Sequence, residues 1–372
     1  MASVNERLLD AEIGHQVDLQ RYANGVVRRL IGVLNKADYD LSQQLQAALD
    51  RLPPEAFTVD RLEHLLLSVR QVNLTAYQQV ERELTAELRA LAEYEAGFQQ
   101  SLFESVIPPQ VQAKVAIVPV SVEQVYSAAY AQPFRGKLLR EWASKIEADR
   151  MLRIRDAVRM SYVQGEPVQG LVKRIRGTKA KGYSDGIIEI DRRAADSVAR
   201  TAISHVAAVT RERFNAANSD LIKAVSWLST LDSRTTEMCQ IRDGKQYTPG
   251  THKPIGHAIP WLGGPGKLHW CCRSTSAPVT RSWRELGIDM DDFTPSTRAS
   301  MDGQVPADQT YGQWLKKQSA TRQDDILGKT RGALFRKGGL KFDRFYNDKG
   351  RYLTLDELRQ RDAAAFDKAG VE

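Results

Sequence analysis

The stretch DRLEHLLLSVRQVNLTAYQQVERELTAELRALAEYEAGFQQSL, Asp60 to Leu102, decides the fold class. Leu62, Leu65, Val69, Val72, Ala76, Val80, Leu84, Leu88, Leu91, Tyr94, Phe98 and Leu102 recur at steps of three and four, the interval at which side chains share one helix face. Asp60 stands where a cap belongs, Glu63 follows three residues on as a capping-box partner, and Pro108-Pro109 close the run. A periodic run of this length predicts a coiled-coil-like hairpin or a helix docked on a partner; packing on its own chain explains the stripe more simply.

Outward from that helix the pattern stays helical. Leu9, Ile13, Val17, Tyr22, Val26, Leu30 and Leu34 form an earlier stripe. A second, short run from Leu41 to Leu52 stops at Pro53-Pro54, where proline lacks an amide donor and restrains the residue before it. Downstream, Val122 to Phe214 reads as helix interrupted at Gln132-Pro133-Phe134-Arg135-Gly136 and at Gly165-Glu166-Pro167, with Arg192 to Asn215 well formed. Near Val225 glycine, proline and aromatic residues become frequent, and helical periodicity is lost until about Ser282, which predicts short strands and turns. From Asp291 the chain predicts a loop-rich tail with short helices at Tyr311 to Lys317 and Asp324 to Phe335. The expectation is an α+β protein: a long-helix region over 1–110, a central helical region over 111–224, a small irregular β-containing domain over 225–282 and a loop-rich, helical tail over 283–372.

Composition limits the function classes. The chain has 372 residues, 42% apolar and 27% charged, enough to bury a sizeable core and too apolar for general disorder. No stretch approaches the roughly 18 apolar residues of a membrane span, and the N-terminus lacks a signal-peptide layout, so assembly in a cytoplasm without a membrane partner is expected. The three cysteines all lie between Cys239 and Cys272, too few for a disulfide framework and clustered as for a local role. A formal charge of +7 suits polyanion contact and a solvated basic surface alike. Val172 to Ser184 carries five basic residues, Lys173, Arg174, Arg176, Lys179 and Lys181, and no acid. It is the candidate for nonspecific contact with double-stranded DNA, which requires only charge; a solvated loop touching nothing fits as well.

The residues with most chemistry lie between Trp227 and Arg273. Asp232 can cap the turn starting at Ser233, and Gly244 after Asp243 suits a position of positive φ. His269 and Cys272 stand in an H-x-x-C arrangement which, with Cys239 and one of Asp243, His257 or Cys271, satisfies tetrahedral zinc. Buried free thiols with a hydrogen-bonded histidine, or a Cys239–Cys272 disulfide, are the other readings; a vicinal Cys271–Cys272 bond would be strained.

In order and spacing, Trp227, Asp232, Arg234, Thr235, Cys239, Asp243, Gly244, His269, Cys272 and Arg273 resemble the signature of the phage head morphogenesis family, the Mu F-like minor capsid proteins. Ala199-Arg200-Thr201-Ala202 is similar to the helix that precedes this domain in the family. Pro133-Phe134-Arg135-Gly136 with Trp142, and Leu327 to Arg331 with Gly338-Gly339-Leu340, resemble segments of longer members. Gly264-Pro265-Gly266-Lys267-Leu268-His269 departs from the P-P-x-H loop of many relatives. The resemblance covers most of Val122 to Leu358. It implies a low-copy virion protein inside the capsid near the portal, binding the portal and the major capsid or scaffold protein, influencing procapsid assembly, and touching packaged DNA or leaving with it.

Two rivals remain. One is an enzyme or toxin carrier ejected with the genome. Arg273-Ser274-Thr275-Ser276 superficially matches elements of ADP-ribosyltransferases, but the paired downstream glutamates are replaced by a lone Glu285, and G-x-S-x-G, phosphate-loop and H-E-x-x-H motifs are missing. The other is a nonspecific DNA-binding virion protein. A nuclease built on His252, His257 and His269 lacks the helix it would need, because their setting is rich in proline.

Overall fold

The computed structural model describes residues 3–51, 58–131, 136–288, 297–300, 303–306 and 309–371. Pro53-Pro54, Pro133-Phe134-Arg135 and the start of the predicted tail at Asp291 lie outside the described residues. Two long helices open the chain, α1 (Val4–Asp50) and α2 (Val59–Val106), followed by α3 (Pro109–Gln112), α4 (Val122–Ala131), α5 (Leu139–Gln164), α6 (Val168–Arg176) and α7 (Glu189–Ala217). Strand β1 (Ile222–Leu228), helix α8 (Glu237–Gln240) and strands β2 (Gln246–Tyr247), β3 (Pro254–Ile255) and β4 (Thr275–Thr280) come next. A two-stranded ribbon, β5 (Thr297–Ser300) and β6 (Gly303–Pro306), precedes α9 (Tyr311–Lys316), α10 (Ala320–Leu327), α11 (Lys329–Arg336), α12 (Leu355–Arg361) and α13 (Ala363–Ala369). The protein is α+β, mostly helical in its N-terminal and central regions.

Most of the stripe predicted for α2 is buried, at Leu62, Val69, Ala76, Val80, Leu84, Leu88, Leu91 and Leu102, and polar residues join it. In α2 the buried face runs Leu62, Leu66, Val69, Asn73, Tyr77, Val80, Leu84, Leu88, Leu91, Glu95, Gln99, Leu102 and Val106, an unbroken four-three-four repeat of 11 residues. Eleven residues over three turns is about 3.67 per turn, so the face stays nearly straight along the helix. Tyr94, placed on the stripe by sequence, is 60% exposed, because the core position beside it is the polar Glu95. The cap differs too: the Thr58 hydroxyl accepts the Arg61 N–H, so Thr58 fills the role assigned to Asp60. The run from Leu41 is no separate helix, since α1 continues through it to Asp50. Its apolar stripe is interrupted at Asp38, which is buried yet paired with Arg150 and Arg192.

The contacts divide the chain into two compact units: 1–18, 93–125 and 207–372, and 19–92 with 126–206. In the second unit, Leu41, Leu45, Leu49, Leu62, Leu66 and Val69 pack with Ile154, Val158, Leu171, Ile175 and Ile188. Gly165, in the left-handed region at φ 66°, ends α5, and Pro167 precedes α6, as the Gly165-Glu166-Pro167 break predicts. In the first unit, Glu12 joins Gln99 and Arg211, and His15 stacks on Phe98 while meeting Glu95 at 2.6 Å.

The sheet of the first unit has the order β3-β2-β1-β4, all antiparallel. The tail is not a loose appendage: Leu231, Ile241 and Ile259 share one core with Tyr311, Trp314, Leu334, Phe345 and Phe366. The helix predicted over Asp324 to Phe335 is two, α10 and α11, because Gly328 at φ 82°, ψ 153° leaves the helical conformation between them.

Candidate functional site

Antiparallel pairing of β1 with β4 puts Leu228 opposite Thr275, so the chain leaving β1 and the chain entering β4 meet at one end of the sheet. That register brings Cys239 and the His269–Cys272 turn together across 30 residues of sequence. Cys239 Sγ lies 3.2 Å from His269 Nε2 and 3.8 Å from Cys272 Sγ. The three ligand atoms fall within 4.8 Å of one another. Both sulfurs are buried, His269 is half-buried, and all three cysteines are free thiols, which removes the disulfide reading for this structure.

Local backbone geometry aims these groups. The Cys272 N–H donates to the His269 carbonyl, closing a turn in which Cys271 takes φ 53°, a left-handed value that costs a residue with a Cβ. His269 Nδ1 stands 2.9 Å from the Trp270 carbonyl; as the donor there, it leaves the Nε2 lone pair facing the sulfurs. Histidines that ligate metals are held in this way through their other nitrogen. The Thr236 hydroxyl lies 3.0 Å from the same Nε2. A hydrogen bond from Cys239, and the neighbouring His269, pull the Cys272 thiol well below its ordinary range against the opposing effect of burial. Cys239, bonded to Cys272 and buried, is pushed the other way, while the Ser274 and Thr236 hydroxyls offset part of that rise.

The other motif residues tie the loops that carry this triad. Trp227, fully buried, sits edge-on to Trp261 at 5.3 Å, and its backbone N–H and C=O bond to Lys245 and Gly244. Asp232 accepts two hydrogen bonds from Arg273, at 2.5 and 2.8 Å, plus the Arg234 N–H and the Thr235 hydroxyl. Burial would raise its carboxyl, but the Arg273 guanidinium and these donors hold it below the usual carboxylate value. Asp243 Oδ1 accepts the Ser229 N–H and Oδ2 the Tyr311 N–H, joining the sheet to α9. Gly244 adopts φ 76°, as its position requires, and a Cβ there would meet the Thr310 methyl at 3.2 Å. Arg234 contributes its backbone to the turn; its side chain is exposed.

None of the fourth ligands considered from sequence joins the triad. Asp243 is committed to two backbone amides, and Cys271 lies outside the cluster. His257 Nε2 meets the Gln246 carbonyl and its Nδ1 accepts the Ile259 N–H; burial lowers its pKa. Thr236 and Ser274, which touch the sulfurs and the imidazole, are not among the residues predicted from sequence; the doublet Thr235-Thr236 beside Cys239 is the signal that marks the first.

The basic segment splits. Arg174 is tied to Glu166 at 2.7 Å and to the Ala157 carbonyl, and Arg176 lies over the rings of Tyr39 and Tyr183. Lys173, Lys179 and Lys181 remain exposed. The loop carrying the last two is built: Thr178 bonds twice to Asp185, and Gly177 and Gly186 approach the opposite backbone too closely for any Cβ.

No protein-family model matches this chain, nor does any curated protein or solved structure.

Proposed function

We propose that this chain is a minor head protein of a tailed phage, of the Mu F-like head morphogenesis kind, acting in procapsid assembly. In this reading it resides in the capsid interior near the portal, is assembled in the host cytoplasm, and binds the portal and the major capsid or scaffold protein as a structural part rather than an enzyme. The observation that carries it is the convergence of the signature residues: Asp232 with Arg273, Asp243 with the sheet and α9, and Cys239 with His269 and Cys272 form one connected knot. That these residues meet in one place is what supports the reading, since the family signature implies a single folded unit built on them.

Zinc is the metal we assign to the triad. Two sulfurs about 2.3 Å from a tetrahedral zinc stand about 3.8 Å apart, and the Cys239–Cys272 separation is 3.8 Å. Thiolate and imidazole ligands select zinc over magnesium or calcium. The metal would cross-link the two loops at the end of the sheet. Packaged double-stranded DNA is a secondary partner, met through Lys173, Lys179 and Lys181, which the fold leaves free of the ties that hold Arg174 and Arg176.

Co-expression with portal and major capsid proteins, followed by affinity purification, mass spectrometry and negative-stain microscopy, tests the assembly role. Retention on portal rings is expected. Failure to bind either protein would overturn it and leave nonspecific DNA binding as the reading to pursue.

A further inference from the structure

Structural zinc sites close with four protein ligands, whereas sites that exchange ligands hold three and leave the fourth position open. Among the described residues, the cluster contains three ligating side chains and no fourth cysteine, histidine or carboxylate. The two sulfurs are buried, while His269 and Thr236 are half-buried. The imidazole and hydroxyl edge is therefore the partly exposed side of the cluster. Thr236 Oγ1 lies 3.0 Å from Nε2, a neutral alcohol beside the metal position that suits a hydrogen bond to a bound ligand better than ligation itself.

Resting on the zinc assignment above, we propose that Cys239, His269 and Cys272 hold zinc with its fourth position open, taken by water in the isolated protein and exchangeable for small monodentate anions. Thr236 is the positioning residue: its hydroxyl hydrogen-bonds the exchangeable ligand. The arrangement differs from a closed structural knuckle in that the metal remains addressable from solution. The Ser274 hydroxyl faces the Cys239 sulfur and the Ser274 amide the Cys272 sulfur, which leaves the Thr236 hydroxyl for the exchangeable ligand.

Cobalt in place of zinc, titrated into the full-length metal-free chain, separates the two ideas. One equivalent should bind and give sulfur-to-cobalt charge-transfer absorption together with tetrahedral d–d bands. Sodium azide added to that complex should shift the d–d bands saturably, with the charge-transfer absorption retained. Thr236→Val should keep the one-to-one cobalt stoichiometry and weaken azide at least threefold. Cys271→Ser should change neither spectrum nor azide response. Absence of cobalt binding would refute the zinc assignment itself. Cobalt bound with d–d bands indifferent to azide would overturn the open position alone, and a loss of charge-transfer intensity in Cys271→Ser would identify Cys271 as a closing fourth ligand. An azide affinity unchanged by Thr236→Val would remove the role given to that hydroxyl.

Discussion

Replacing Asp232 tests whether the signature residues act as a structural cross-link. Its carboxylate receives two hydrogen bonds from Arg273, one from the Arg234 amide and one from the Thr235 hydroxyl. Hydrogen bonds to charged groups contribute roughly 1.5–3 kcal/mol, and removing one partner of a fully buried ion pair costs about 3–5 kcal/mol. This pair is not fully buried, with side chains 26% and 16% exposed, so the upper range must be discounted for solvent screening. Asp232→Ala should therefore cost about 2–4 kcal/mol. Asp232→Asn, whose carbonyl can still accept from the turn, should cost about 1–2 kcal/mol.

The assay follows from where the tryptophans lie. Trp227, Trp261, Trp270, Trp283 and Trp314 belong to the first compact unit and only Trp142 to the second. Tryptophan fluorescence during urea unfolding thus reports chiefly on the unit that contains Asp232. The pH dependence carries a defined sign. The folded carboxyl titrates below its unfolded value of about 3.9, so its contribution is complete above that pH and is lost as pH falls through the depressed folded value. Wild type should lose stability on acidification below about pH 4 more steeply than Asp232→Asn. A double-mutant cycle with Arg273→Met should give a coupling of at least about 1 kcal/mol. An Asp232→Ala variant within about 0.5 kcal/mol of wild type would refute the cross-link.

Two further substitutions probe other parts of the molecule. Asp38→Asn in the second unit leaves Arg150 and Arg192 without their shared carboxylate in a buried setting, and should cost about 3–5 kcal/mol by thermal unfolding monitored as helical circular dichroism; a change below about 1 kcal/mol would mean that the arginines find other partners. Tyr247 is buried, its hydroxyl has no hydrogen-bond partner among the described residues, and burial pushes its pKa up to about 12. Because the unfolded phenol ionises near 10, this residue's contribution falls as pH rises from about 10 to 12. Tyr247→Phe should be neutral or stabilising by up to about 1 kcal/mol at pH 7 and should flatten the alkaline loss; clear destabilisation at pH 7 would show the hydroxyl to be satisfied.

The legible and illegible parts of the fold separate along a physical line. Helix–turn boundaries set by glycine and proline, such as Gly165-Glu166-Pro167, act through the local backbone and can be read from the sequence directly. The triad was legible in part: residue types and the H-x-x-C spacing named Cys239, His269 and Cys272, but only the β1–β4 register brings the first to the other two. The choice of a fourth ligand was not legible. Asp243 is as good a zinc ligand by type as any, yet two backbone amides 82 residues apart, of Ser229 and Tyr311, occupy it, and nothing local announces that Tyr311 will arrive there. The partners of Arg174 and Arg176 were illegible for the same reason, since the rings and the carboxylate are brought by folding.

The polar residues that join the buried faces of the long helices were illegible for a different reason. Apolar spacing alone passes over Glu12, His15, Asp38, Asn73, Glu95 and Gln99 for neighbours such as Ile13 and Tyr94, while Val72 and Phe98 do pack, partly buried, against the cores. All six polar residues are buried and partnered: Glu12 with Gln99 and Arg211, His15 with Glu95, Asp38 with two arginines, and Asn73 with Glu147. An apolar interface between long helices is indifferent to sliding by whole repeats, because every 11 residues present the same face. A buried carboxylate that meets its guanidinium at one alignment only is not indifferent, since a slip would leave it uncompensated at a cost of several kcal/mol. These polar positions weaken the apolar stripe; in exchange Glu12 with Gln99 and His15 with Glu95 fix α1 against α2 in the first unit, while Asp38 and Asn73 fix the long helices against α5 and α7 in the second.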